Sequence, residues 1–387
     1  MKNKLMRTTA LVGSMVVLGA GVSVAQTTVT GNLDLSYRAV GTDTLSTGSS
    51  SDKVNSFRGF GKESQINLAN KGKLNNGLDY AAGFSLEFDG ADMQGSATQT
   101  SSAQGVHGET VYLNIINGNT TYHVGADWIQ NPDSHGLINP VGVGYMTSYG
   151  NAIGTAGTAK QGIYPTVSNS PYAAYGFGVV QKTPFGNLSL SYVPSPQDGV
   201  AGHDIGNNQS IANYEGTAES AIELGLVGNL GVKGLTVQAF YNERSAPDQA
   251  VTGVNNTGKV QGTALTAAYN FGQLTIAGDY RVTEGGAKTT VLAGTAATAA
   301  GNPDEQIKGQ AVSLTYAATN NLSLGVVMAK ANSNRADKPS DEKIKIAAIG
   351  YNLGPVALNA EFTDTDNVGG IAGANAQEVI VKASTKF

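Results

Sequence analysis

Residues 28–38 read Thr-Val-Thr-Gly-Asn-Leu-Asp-Leu-Ser-Tyr-Arg, with Val29, Leu33, Leu35 and Tyr37 on one parity and Thr28, Thr30, Asn32, Asp34, Ser36 and Arg38 on the other. Successive side chains of an extended chain point to opposite faces, so this stretch is a strand with one apolar and one polar face. The same alternation recurs at 57–69, 78–89, 109–117, 120–128, 172–182, 187–193 and 220–229. It continues at 234–244, 260–270, 273–283, 308–317, 321–330, 343–351, 355–364 and 377–387, which makes sixteen candidate strands in all. Composition agrees with an all-β chain. Gly supplies 51 of 387 residues where ~7% is usual, and only 14% are charged where ~25% is usual. No apolar run of ~18 residues offers a membrane-spanning helix. The absence of Cys excludes disulfide frameworks, cysteine nucleophiles and Cys-ligated metals.

The connections alternate between short and long. Short turns rich in Asn and Gly occupy Lys71 to Gly77, Asn117-Gly118-Asn119, Thr183 to Gly186, Asn229 to Lys233, Asn270-Phe271-Gly272, Thr319-Asn320 and Asn352-Leu353-Gly354. Long polar stretches at about 39–56, 90–108, 129–171, 194–219, 245–259, 284–307, 331–342 and 365–376 lie between them. All short turns thus fall on one edge of the meander. That is the layout of an outer-membrane barrel, with short periplasmic turns and longer outer loops. Closure has a physical reason: an unpaired backbone amide in hydrocarbon costs several kcal/mol, so a sheet in lipid can have no edge.

Aromatic placement gives a second line of support. Outward-running strands end their apolar face in Tyr37, Phe88, Trp128, Tyr192, Tyr241, Tyr280 and Phe362, and returning strands end in Tyr269, Tyr316, Tyr351 and Phe387. These form two girdles flanking a lipid band. Tyr80 and Phe88 bracket eight residues of one strand, roughly 26 Å of chain and nearer 20 Å once tilted, against an apolar height of ~25 Å.

The first 25 residues read differently. Lys2, Lys4 and Arg7 precede an apolar stretch from Ala10 to Ala25, and Ser23-Val24-Ala25 has the small residues of a cleavage site. Residues 1–25 are read as a secretory signal peptide and 26–387 as one barrel domain. Losing the leader removes three of 24 bases and none of 29 acids, taking the formal charge from -5 to -8. Nucleic acid is then excluded as an expected partner.

The segments Leu74-Asn75-Asn76-Gly77-Leu78-Asp79-Tyr80-Ala81-Ala82-Gly83-Phe84-Ser85-Leu86-Glu87 and Val111 to Gly125 (VYLNIINGNTTYHVG) resemble the second-turn and third-strand segments of Gram-negative general porins, as do Tyr269 to Leu274 and the terminal Phe387. The resemblance covers essentially the whole mature chain. It implies a sixteen-stranded, trimeric, transmembrane antiparallel β-barrel in the outer membrane, with passive diffusion of small hydrophilic solutes and ions and a long third loop folded into the pore. It implies that the terminal Phe387, with Val379, Val381 and Ala383 on the same parity, addresses the barrel-assembly machinery, and that outer-membrane lipid surrounds the wall. The third loop, 129–171, is the longest connection and well beyond the ~15 residues typical of unstructured loops. The family's constriction loop is rich in acids, whereas this one offers Asp133 alone, with His135 and Lys160 and the aromatics Tyr145, Tyr149 and Tyr164.

Parity sends the polar face of each strand to the channel. The expected lining is Asp34, Glu87, Asp127, Glu223, Asp279 and Glu361 as acids and Arg38, Arg244, Arg281 and Lys382 as bases, with Tyr112 and His123 beside the third loop and Asp133 within it. Acids in excess predict a weakly cation-preferring pore. Strand 57–69 is ambiguous, because Arg58 and Lys62 share the parity of Ile66 and Leu68 and reach the lumen only if a bulge near Gly59 or Gly61 resets the register. Gly31 is read as a point of close packing between subunits.

Other classes fit less well. A barrel hydrolase needs Ser, His and an acid aligned, and His107, His123, His135 and His203 lie in no Gly-x-Ser-x-Gly or His-Glu-x-x-His setting. Asp364 to Gly369 faintly matches a calcium loop but lacks its later ligands. No metal, cofactor or catalytic residue is therefore expected. A sugar-specific channel remains the alternative within the membrane class, carried by the Tyr-bearing third loop. A secreted β-helix or adhesin would show a fixed-period repeat, which is missing.

Overall fold

The computed structural model describes residues 26–42, 57–89, 107–126, 137–142, 163–165, 176–194, 220–245, 250–251, 254–255, 259–285, 306–336 and 338–387. The expected leader, 1–25, lies outside them. The strands are β1 (Gln26–Thr42), β2 (Phe57–Lys73), β3 (Asp79–Asp89), β4 (His107–Asn117), β5 (Thr120–Ala126), β6 (Gly176–Thr183), β7 (Gly186–Val193), β8 (Ser220–Gly228) and β9 (Leu235–Ser245). They continue as β10 (Ala250–Val251), β11 (Val254–Asn255), β12 (Lys259–Asn270), β13 (Leu274–Glu284), β14 (Gln306–Ala317), β15 (Leu322–Ser333), β16 (Glu342–Asn352), β17 (Val356–Asp366) and β18 (Ala376–Lys386). Setting aside β10 and β11, each strand pairs with the next in the chain, β9 with β12 among them, and β1 pairs with β18, so the sheet is a closed antiparallel barrel. Among the described residues the barrel strands number sixteen, as the alternation predicts.

Differences from the sequence reading are local. The first residues of the strand read at 172–182 lie outside the described residues, and β1 and β2 run several residues longer than their alternating cores. The loop read at 245–259 contains a two-residue ladder, β10 with β11. Strand β2 keeps an unbroken register against β1, with Lys62 opposite Leu35 and Arg58 opposite Ala39. No bulge resets it, so both bases stay on the lipid-facing parity. The bulge that does occur lies between β3 and β4, at Phe84/Leu86.

Three inner turns use one device. In Asn229-Leu230-Gly231, Asn270-Phe271-Gly272 and Asn352-Leu353-Gly354, the Gly N–H donates to the Asn Oδ1 two residues back, at 3.0, 3.0 and 2.9 Å. Each of these glycines has a positive φ, which other L-residues adopt at a cost. The tight turns fix which parity faces out. Leu33, Leu35, Leu190, Leu224, Leu265, Val312, Val326 and Val381 accordingly stand exposed on the outer wall, a pattern suited to hydrocarbon rather than water. Tyr192, Tyr280 and Phe362 are exposed near the long-loop ends, and Tyr269, Tyr316, Tyr351 and Phe387 near the short-turn ends. Phe60, tilted against Tyr37 with ring centroids 5.2 Å apart, joins the outer girdle.

The seam depends on Gly31. Its N–H donates to the Phe387 carbonyl at 2.7 Å, and the Phe387 N–H donates back at 3.0 Å. A Cβ on Gly31 would lie 2.5 Å from Phe387 Cζ and 2.6 Å from the Gln65 carbonyl oxygen. Gly31, expected at a point of close packing between subunits, packs closely against the chain's own last residue. Gly31→Val is expected to block the final pairing. On an unboiled gel, the compact fast-migrating form of the variant should fall to a minor fraction of the wild-type amount.

Candidate functional site

The inward wall is polar along most of the barrel, but β13 to β16 break the rule. Ala277, Ala311, Val327, Ala329, Ala331, Ile344 and Ile346 all face inward and are all buried. What covers them is the connection between β5 and β6. Ile138, Ile163 and Tyr164 pack into this inner apolar patch and are themselves 0%, 6% and 2% exposed. The third loop therefore enters the barrel, as its length suggested. Gly309 makes room for it: a Cβ there would strike Pro165 Cδ at 2.5 Å and the Tyr164 ring at 3.1 Å.

Polar anchors hold both described parts of the loop. The fully buried Glu342 carboxylate accepts the Ile163 N–H at 3.1 Å, the Tyr164 N–H at 3.3 Å and the Gly369 N–H at 2.8 Å. One side chain thus ties the third loop to the wall and to the segment between β17 and β18. Asn139 Nδ2 donates to Glu361 Oε2 at 3.0 Å, and Asn359 Nδ2 donates to the Val141 carbonyl at 3.0 Å. The Tyr164 hydroxyl donates to Asp279 Oδ2 at 2.7 Å. Burial, and then the adjacent Asp279 carboxylate, raise the phenol above its ordinary pKa and keep it a neutral donor. Asp279 also accepts from Thr266 and from Arg281 Nε at 2.9 Å, so the charges in this cluster are paired before they are covered.

The expected lining residues fall into groups. Asp34 and Lys382 form an inward ion pair across the β1–β18 seam at 2.5 Å, and Arg38 pairs with Glu378. Asp279, Arg281 and Glu361 are on the inward face but lie beneath the third loop. Glu87 and Glu223 are buried on the inward faces of β3 and β8. His123 Nδ1 lies 2.7 Å from Asn114 Oδ1, and the imidazole stacks on Tyr112 with centroids 6.4 Å apart. Arg244 sits in β9 opposite Ala221 and Val260. Asp127 and Asp133 lie outside the described residues. Among the described residues there is no cluster of His, Asp and Glu that could hold a metal ion.

Glu342, Glu378, Thr266, Asn139 and Ile138 were not singled out from sequence. Glu378 shares the parity of Lys382 and was there to be read. Glu342 precedes the candidate strand 343–351 by one residue.

A closed barrel with an outer apolar band and a long loop packed inside is the architecture of a channel wall. The family model for Gram-negative porins matches residues 8–370. The chain belongs to the Gram-negative porin family. It is an outer-membrane β-barrel channel. Among solved structures it is similar to the outer membrane channel DcaP of Acinetobacter baumannii, with a TM-score of 0.59 and 12% identity over 95% of this chain and 100% of that one. It is similar to the anion-selective porin from Comamonas acidovorans, with a TM-score of 0.58 and 16% identity over 94% and 100%. A triple mutant of Rhodopseudomonas blastica porin gives a TM-score of 0.54 and 14% identity over 94% and 100%. These likenesses are of fold. No curated protein matches the sequence.

Glu342→Ala would leave three buried N–H groups without their acceptor, at ~1–3 kcal/mol each. The variant porin is expected to unfold at lower temperature and to show larger, noisier single-channel currents in planar bilayers, as the third loop leaves the wall.

Proposed function

We propose that this porin is a passive diffusion pore for small hydrophilic solutes and ions, weakly preferring cations, with the third loop narrowing its channel. The observation that carries the reading is the inward wall. Six of its carboxylates, Asp34, Glu87, Glu223, Asp279, Glu361 and Glu378, stand against the inward bases Arg38, Arg281 and Lys382, each of which is paired with an acid. Fixed charge of one sign in a narrow aqueous passage concentrates the opposite ion, and salt shortens its reach from ~10 Å at 0.1 M to ~3 Å at 1 M. Fold alone does not set the sign of selectivity, since a barrel of similar shape from Comamonas acidovorans is anion-selective. The side chains on this wall have to set it.

A KCl gradient across a bilayer containing the full-length porin should give a reversal potential on the potassium side, shrinking as total salt rises. Clear chloride preference would sink the proposal. The Asp34–Lys382 pair gives a finer test, because both groups are partly exposed on the wall. Lys382→Gln leaves the carboxylate alone and should increase potassium preference, whereas Asp34→Asn should reduce it, each without loss of the folded form.

Homotrimer assembly and recognition of the terminal segment by the assembly machinery belong to the same proposal. The support for the second is the exposed Phe387 ring, standing on the outer face with Val379 and Val381. A trimer band on an unboiled gel that collapses on boiling is the expected result.

A further inference from the structure

The two described parts of the third loop meet the wall at different heights. Tyr164 and Pro165 lie over Gly309, which is opposite Ala331. Val141 lies over Gly325 of β15 and Gly350 of β16. From Ala331 to Gly325 is roughly 20 Å of strand, so the loop follows β15 toward the short-turn end. Gly350 precedes Tyr351 of the short-turn aromatic girdle, and Gly325 follows Leu324, which is opposite Tyr316 of the same girdle. Residues 137–142 therefore sit at the height of that girdle.

The wall has a notch there. Neither Gly325 nor Gly350 has a positive φ, so backbone conformation does not call for glycine at either position. The room does, as where another backbone comes close to a strand. The Val141 side chain, 4% exposed, fills the space. A Cβ on Gly325 would meet Val141 Cβ at 3.4 Å, an ordinary contact. A Cβ on Gly350 would lie 3.1 Å from Val141 Cγ1 and 3.1 Å from Asn359 Nδ2, too close unless one of them gives way. Gly350 is the tight side of the notch.

Two side-chain amides pin the turn in place. Asn359 Nδ2 donates to the Val141 carbonyl and Asn139 Nδ2 donates to Glu361 Oε2, each at 3.0 Å. Gly350 is opposite Asn359, and Ala348 is opposite Glu361, so notch and pins occupy neighbouring rows of one ladder. Pro140, between the two anchored residues, is the exposed one. Its ring fixes φ, which stiffens the turn. The strands behind are paired on both sides and do not yield. Bulk that the notch cannot accept is therefore passed on to Pro140 and the lumen.

We propose that the notch at Gly325 and Gly350 sets the size limit of the pore, by fixing how far the Val141 turn stands out from the wall. This rests on the reading that the third loop narrows the channel, and adds the height at which size is selected and the wall residues that select it.

The test is single-channel conductance of the full-length porin in planar bilayers, with polyethylene glycols of graded mass as size probes. Gly350→Val should push the turn toward the pore axis, lower conductance to roughly half and reduce the largest polymer that enters. Adding Val141→Gly moves the bulk from loop to wall and should return both quantities toward wild type. Unchanged or raised conductance in Gly350→Val, or no recovery in the double variant, would overturn the proposal. If Gly350→Val does not fold, Val141→Phe decides: it overfills the notch from the loop side, leaves every strand residue in place and should lower conductance likewise. Glu342→Ala separates the proposal from the reading beneath it. A rise in conductance there with no fall in Gly350→Val overturns the notch alone, and no change in either overturns narrowing by the third loop as well.

Discussion

The constraint behind this structure is that hydrocarbon offers no partner to a backbone N–H or C=O. Every strand must pair on both sides, and a meander of strands can meet that demand only by joining its first to its last. Here the joint is the exchange of two hydrogen bonds between Gly31 and Phe387. The register from Asn32 opposite Lys386 to Thr42 opposite Ala376 then runs without interruption. Closure also fixes which face is which. Once Leu33 and Leu35 point to lipid, Asp34 and Arg38 must point to the lumen, and each finds its partner there on β18. The ion pairs of the seam are thus a consequence of the same parity that builds the outer wall.

A second demand follows from the first. A barrel of this size encloses more space than strand side chains fill, and an empty polar lumen would be a wide hole. The chain narrows it with its own loop, and the loop needs something to hold. The wall provides an apolar patch where the inward residues of β16 are Ile344, Ile346 and Ala348 rather than polar groups. Burying Ile138, Ile163 and Tyr164 there supplies hydrophobic adhesion, but such contact is non-directional. Direction comes from Glu342 and Asp279, whose carboxylates accept bonds only from donors placed in one arrangement. The loop is therefore fixed in register with the wall by carboxylates, and held against it by apolar area.

How much of this could be read from the chain depends on periodicity. Alternation of period two is local, so the number of strands, their faces and the short turns between them were all legible. The Asn-x-Gly turns were legible for the same reason, since the two residues that make them lie two positions apart. The placement of the third loop was visible as an oddity of length, but its contacts were not, because Tyr164 and Asp279 are separated by 115 residues and nothing local links them. Strand β2 shows the opposite case. Arg58 and Lys62 on an outward parity invited a register change, yet continuous pairing with β1 kept them outside. A charge near the end of a barrel strand sits at headgroup height, where it costs little, and backbone pairing outweighs it.

The same comparison explains the most informative strand. Residues 342–350, Glu-Lys-Ile-Lys-Ile-Ala-Ala-Ile-Gly, alternate as cleanly as any other, but with polarity reversed over their first half. Apolar Ile344 and Ile346 face the lumen while Lys343 and Lys345 face out. Reversal on the inner face means that something apolar covers it, and the third loop does. Reversal on the outer face means that this part of the wall does not stand in bare hydrocarbon. One stretch of inverted alternation thus marks two contacts at once, an internal one with the third loop and an external one with the carboxylates of β17, where Lys345 lies beside Asp364 and Asp366. In a barrel, a strand that breaks the polarity rule without breaking the period points to what each of its faces touches.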